Sequence, residues 1–197
     1  MARRSKRLSC CNRFFRSKAS LLALLVLLFS CAAESKAAAP SGDGWSSLQA
    51  ESLSIYFRED DSGLAQAIVD IGPSTIDYIS TATGTPIPER IDVVLAGDAK
   101  SFASLQPSAP PSWAVGTAWP QRKEIYLRTR LPHVGPDPIQ RTFTHELCHI
   151  MVGSVFESGR PPRWLQEGVA MLFAGEMRPA DQAALVRAAV GNTLLPL

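Results

Sequence analysis

Histidine, tyrosine and cysteine are scarce in this chain of 197 residues, with three, three and four copies. Charged residues make up only 19%, against about 25% in an average soluble domain. Apolar residues reach 46% and the formal net charge is only +2, a balance that excludes an intrinsically disordered chain. No repeat with a period of about 20–50 residues recurs, which excludes solenoids and propellers. Long apolar runs are missing too. The longest, Leu21 to Phe29, has nine residues; as a helix it spans about 13 Å, under half of a bilayer core. The length allows one domain with a short appendage.

Acidic residues are absent from the first 31 positions, which hold seven of the twenty Lys and Arg. Residues 32–197 carry 13 positive and 18 negative side chains, a net of −5. The basic character of the chain therefore belongs to its N-terminus. A nucleic-acid partner would need a basic patch on the folded part, and that part is acidic.

A basic stretch leading into Leu21–Phe29 and then into small residues describes a secretory signal peptide over residues 1–31. The run Leu28-Phe29-Ser30-Cys31 resembles the lipobox of bacterial lipoproteins. That resemblance implies lipidation of Cys31 and a membrane-anchored lipoprotein of the cell envelope. Ordinary cleavage after Ala33 or Ala39, giving a soluble secreted product, and an uncleaved signal anchor are the alternatives. Cys10 and Cys11 would leave with the signal and a lipidated Cys31 cannot form a disulfide, so Cys148 would have no partner. A mature chain of this size does not need disulfides for stability.

Residues 32–47 are small, polar and turn-forming, and are expected to form a linker ahead of a domain over 48–197. Leu53 to Phe57 and Ile91 to Leu95 read as strands. A helix is expected from about Gly63 to Ala82, with N-caps offered by Asp60, Asp61 and Ser62 and a kink or break at Gly72-Pro73. Ala99 to Leu105 suits a short helix. Ala114 to Trp119 and Glu124 to Arg130 suit the arms of a hairpin. Three helices should follow, over Ile139 to about Ser154, Pro162 to about Gly175 and Pro179 to about Val190, with Pro162 and Pro179 in first turns. Strands before helices argue for an α+β fold with a small mixed or antiparallel sheet, not for a doubly wound one. The four tryptophans, Trp45, Trp113, Trp119 and Trp164, read as packing residues, and Cys148 as a core thiol.

The chemistry lies in Thr144-His145-Glu146-Leu147-Cys148-His149. With three His and nine Glu in the chain, His-Glu-x-x-His arises by chance on the order of once in a thousand such sequences. On a helix, residues four apart share a face, so His145 and His149 can reach one Zn²⁺. Glu146, about 100° around the helix, stands beside the metal, not on it. A catalytic zinc wants a third protein ligand and an open position. Glu157, Glu167, Glu176 and Asp181 are the downstream candidates. Glu167 is favoured, since it falls just over one turn into a helix rich in Trp164, Leu165, Val169, Leu172 and Phe173, where a carboxylate needs a partner. Gly168 beside it would allow close helix packing.

His145-Glu-x-x-His149, then seventeen residues, then Glu167 within Trp-Leu-x-Glu-Gly-x-Ala resembles the gluzincin metallopeptidases. These include thermolysin-like and aminopeptidase N-like enzymes and, above all, bacterial peptidase MA-like domains. The resemblance implies a zinc metallopeptidase with His145, His149 and Glu167 as ligands and Glu146 as general base, acting on a peptide or protein substrate. It also implies that Glu124 to Arg130, or its partner Gly116 to Trp119, holds substrate backbone by strand addition. The sequence departs from the family in two ways. No Tyr or His follows Glu167 to serve as the usual oxyanion donor, His133 and the tyrosines Tyr56, Tyr78 and Tyr126 being upstream. The helical subdomain stops at Thr193 to Leu197, short of the family's usual extent, which implies an incomplete subdomain. The glycine-rich exopeptidase motif of aminopeptidase N is absent. A zinc-binding but inactive envelope lipoprotein serving as an interaction module, and a metal-free binding lipoprotein, are the competing expectations.

If Cys31 is the lipidation site, Cys31→Ser abolishes acyl labelling and releases or mislocalises the protein. An unmodified, soluble wild type would establish ordinary signal cleavage instead.

Overall fold

The computed structural model describes residue 40 and residues 42–131, 139–153 and 162–190. The expected signal segment, Cys31, most of the linker, His133, Glu157 and Thr193 to Leu197 lie outside the described residues. Among the described residues the fold is α+β: a five-stranded mixed sheet with five α-helices.

The strands are β1 (Ser46–Ala50), β2 (Leu53–Phe57), β3 (Ile91–Ala96), β4 (Gly116–Trp119) and β5 (Glu124–Arg128), in the order β1-β2-β3-β5-β4. β2, β3 and β5 run parallel, and β1 and β4 pair antiparallel at the two edges. The inner strands are buried on both faces. That suits the reading of IDVVL as a buried strand, whereas the alternation in LSIYF suggests one exposed face that the fold does not have, Ser54 being buried too. β1 begins at Ser46, inside the segment expected to be linker. Its residues are largely exposed, and its state comes from pairing with β2 through the turn at Glu51 and Ser52, where Glu51 takes φ 49°.

The helices are α1 (Ser62–Thr83), α2 (Ala99–Ser104), α3 (Ile139–Gly153), α4 (Arg163–Phe173) and α5 (Pro179–Val190). α1 joins the parallel strands β2 and β3, and packs with α3 on one face of the sheet. Leu53, Ile55, Val93, Leu95, Ile125 and Leu127 from the strands meet Ile68, Ile76, Ile79, Phe143, Leu147, Ile150 and Met151 from those two helices. The opposite face is covered by Phe102 of α2, with Leu105 and Ala114 beyond it, over Tyr56, Val94 and Tyr126. Among the described residues no helix is long and apolar enough to cross a membrane.

Four expectations need correction. α1 runs unbroken for 22 residues with Pro73 inside it. Pro73 removes one backbone bond, and the Ser74 and Thr75 hydroxyls donate to the Ile71 carbonyl beside the gap at 2.9 and 2.8 Å. Pro162 is the N-cap of α4 and not its first helical residue. Trp113 and Trp164 are 75% and 60% exposed, whereas Trp45 and Trp119 do pack, against the Tyr126 side of the sheet. Gly168 makes no close contact; it shares an outward side of α4 with Trp164 and Leu172, four residues either way. The glycine that permits close packing is Gly72, where a Cβ would collide with Leu53 Cδ1.

These two helical glycines predict opposite outcomes. Gly72→Val should lower stability by about 1–3 kcal/mol through overpacking against the fully buried Leu53. Gly168→Ala should raise it by about 0.5–1 kcal/mol through backbone entropy. Denaturant unfolding of both variants checks the pair, and equal shifts would contradict the packing described here.

Candidate metal centre

α3 owes its position to its apolar residues. Phe143, Leu147, Ile150 and Met151 fall at i, i+4, i+7 and i+8 and are fully buried, a stripe that docks the helix on the sheet and α1. The stripe leaves His145 and His149 on the opposite side, against α4. Their side chains are each 17% exposed, and the rings meet edge to face with centroids 4.9 Å apart. Cys148 is buried and unpaired, as expected of a core thiol.

α4 supplies Glu167. Its Oε2 lies 3.5 Å from His145 Nε2 and 3.8 Å from His149 Nε2. The three ligand atoms all fall within 4.8 Å of one another. Ligands at about 2.0–2.1 Å from a tetrahedral ion stand about 3.3–3.4 Å apart, so two of the separations are already close to those of a filled site. Two imidazole nitrogens and one carboxylate oxygen also match the donor set of a catalytic zinc. This group could hold a metal ion. Burial, then the neighbouring His145, hold His149 below the ordinary imidazole value, with Glu167 opposing. That favours the neutral form a metal requires. Glu167 is 42% exposed and also faces Arg163 Nε at 3.6 Å, so it is less enclosed than its apolar neighbours in sequence suggest.

Glu146 stands apart from the trio. It is buried, at 8% exposure. Burial pushes its carboxyl up to about 8, and the charges of Glu167 and Glu176 add to the rise. β4 comes close beside it. A Cβ on Gly116 would lie 2.7 Å from Glu146 Oε1 and 2.7 Å from Thr142 Cγ2, so only glycine lets the strand backbone approach the acid this closely. Gly116 was not singled out in the sequence; a glycine opening a strand was the available signal.

The other candidates fall elsewhere. Asp181 is bound by Arg178, Nε to Oδ2 at 2.8 Å. Glu176 lies on the far side of His145 from Glu167, its Oε2 3.1 Å from His145 Nδ1. Tyr56 accepts from Arg90 and Tyr126 donates to Glu124, both on the sheet face away from α3. Tyr78 is exposed and stacks edge-on against Phe173. β5 is paired on both sides, by β3 and β4, so its backbone is committed; of the two strands named for substrate binding, only β4 lies at a sheet edge among the described residues.

Glu146 gives metal-free protein a distinctive pH dependence. Its carboxyl in the fold lies at about 8, above the ordinary 4.5. Its contribution to stability is therefore full below 4.5 and is lost as pH rises through about 8. His149 is held below 6.5 and Cys148 is pushed by burial from 9.0 to about 12, so neither shift acts strongly between about pH 6.5 and 8. The Tm of chelator-treated protein should fall across that window, and Glu146→Gln should flatten the fall. A variant with the wild-type slope would contradict this assignment.

In comparisons with protein-family models, curated proteins and solved structures, nothing matches this chain, and its functional reading rests on the geometry of His145, Glu146, His149 and Glu167.

Proposed function

We propose that the domain is a zinc-dependent metallopeptidase of the gluzincin type that hydrolyses peptide bonds. The observation that carries the proposal is the convergence of His145, His149 and Glu167 within ligand distance of one another, with the buried carboxylate of Glu146 on the same helix. His145 Nε2, His149 Nε2 and Glu167 Oε2 would hold the ion. Bound zinc supplies Lewis acidity, which polarises a carbonyl and acidifies water.

The remaining work falls to this chain's own side chains. Glu146 accepts the proton of the attacking water on its carboxylate and returns it to the leaving nitrogen. A divalent cation nearby offsets the burial and like-charge repulsion that hold this carboxyl at about 8, so the base is ionised when the site is filled. Zn²⁺ with two neutral imidazoles, Glu146⁻ and Glu167⁻ sums to zero. The edge strand β4 offers backbone groups to an extended peptide, and Gly116 sets that strand next to the base. With Cys31 lipidated, the enzyme would work at the membrane of a bacterial cell envelope on an exported peptide or protein.

Two variants separate holding the metal from the chemistry. Glu167→Ala should lose most zinc. Glu146→Gln should keep zinc and fold while peptide hydrolysis falls by about 10²–10⁴ or more. Wild-type hydrolysis should stop with a chelator and return with zinc. Stoichiometric zinc in Glu167→Ala would place the third ligand elsewhere. Full hydrolysis by Glu146→Gln would overturn the mechanism. A zinc-loaded wild type that cleaves no peptide would favour the interaction-module alternative.

A further inference from the structure

His145 has two ring nitrogens and the structure occupies both. Nε2 turns to Glu167 at 3.5 Å, and Nδ1 lies 3.1 Å from Glu176 Oε2. Only one neutral tautomer suits both neighbours: the proton sits on Nδ1, where a carboxylate accepts it, and the Nε2 lone pair is left for a ligand bond. The pair is partly shielded, at 17% exposure for the His145 side chain and 30% for Glu176.

The backbone around Glu176 is built to hold it there. α4 ends at Ala174, and Gly175 takes the left-handed conformation at φ 68°. Gly175 N–H donates to the Leu172 carbonyl at 3.2 Å, and Glu176 N–H to the Met171 carbonyl at 2.9 Å. These two bonds make a complete Schellman motif, with Glu176 in the position after the glycine. That position usually carries an apolar residue packing back on the helix, and the helix C-terminus disfavours negative charge. An acid there breaks two local preferences. Such breaks mark places where a group is needed for something other than local stability.

We infer that Glu176 is a positioning residue for His145: its carboxylate accepts the Nδ1 proton, fixes the tautomer and ring orientation, and strengthens Nε2 as a metal ligand. This rests on the metal site proposed above. Glu176 is outside the metal-holding trio and acts on the metal through His145. In proteins of known metal content such partners change metal affinity by about 10–100-fold when removed.

The test uses the purified full chain and two readouts. Zinc affinity by chelator competition should weaken by about 10–100-fold in Glu176→Ala. Glu176→Gln keeps the size of the side chain while losing the charge, and should also weaken it. The second readout needs no metal. ¹⁵N NMR of the His145 ring in metal-free protein, at a pH where imidazole is neutral, should show the Nδ1–H tautomer in wild type. Glu176→Ala should shift toward Nε2–H, a change that a merely structural side chain would not cause, whereas Glu176→Gln, whose amide oxygen still accepts the Nδ1 proton, should keep it. Unchanged zinc affinity together with an unchanged His145 tautomer in folded Glu176→Ala would overturn the inference. A wild type that binds no zinc would overturn the metal site alone, because the tautomer would still report on Glu176.

Discussion

Fifteen residues of α3 have to satisfy the core and the site at once. Phe143, Leu147, Ile150 and Met151 must stay dry against the sheet and α1, while His145 and His149 must reach toward α4. The helical period resolves the conflict, because residues four apart stack on one side and the apolar set takes another. The arrangement leaves Glu146 between the two sides, buried against the backbone of β4. Rotating α3 by about half a turn would send the histidines into the core, and a smaller rotation would carry Glu146 away from Gly116. The packing that stabilises the domain is therefore the same packing that aims its chemistry.

Electrostatics make that arrangement costly without a cation. Glu146, Glu167 and Glu176 converge on two imidazoles, and the two other carboxylates contribute to the rise in the Glu146 carboxyl. Buried like charges are tolerated when a positive charge joins them. The only cationic side chain within ion-pair distance of the site among the described residues is Arg163, which is 86% exposed and reaches Glu167 from outside. A divalent ion between His145, His149 and Glu167 answers the imbalance at its centre. Without one, protonation of Glu146 is the cheaper solution.

What could be read in the sequence was local. The His145–His149 spacing, the strands at Leu53 and Ile91 and the last three helices follow from short-range periodicity, and the structure places them within a residue or two of expectation. The gathering of Glu167 with the two histidines was also legible, because Trp-Leu-x-Glu-Gly-x-Ala is a local pattern. What could not be read depended on distant contacts. β1 has a polar, exposed sequence and exists through its pairing with β2. Gly116 matters only because α3 passes beside it. In the sequence Glu176 is one of the acids passed over in favour of Glu167, and only the turn at Gly175 places it behind His145. Gly168 and Trp164 misled for the same reason: one helix cannot reveal from its own residues which side its neighbours will cover.

The central claim is the identity of the metal's ligands, and X-ray absorption at the zinc edge of the purified protein tests it most directly. The account predicts zinc bound by two imidazole nitrogens and by oxygen at about 2.0–2.2 Å, with no sulfur. A zinc–sulfur distance of about 2.3 Å, a single imidazole, or a protein that retains no zinc at all would contradict it.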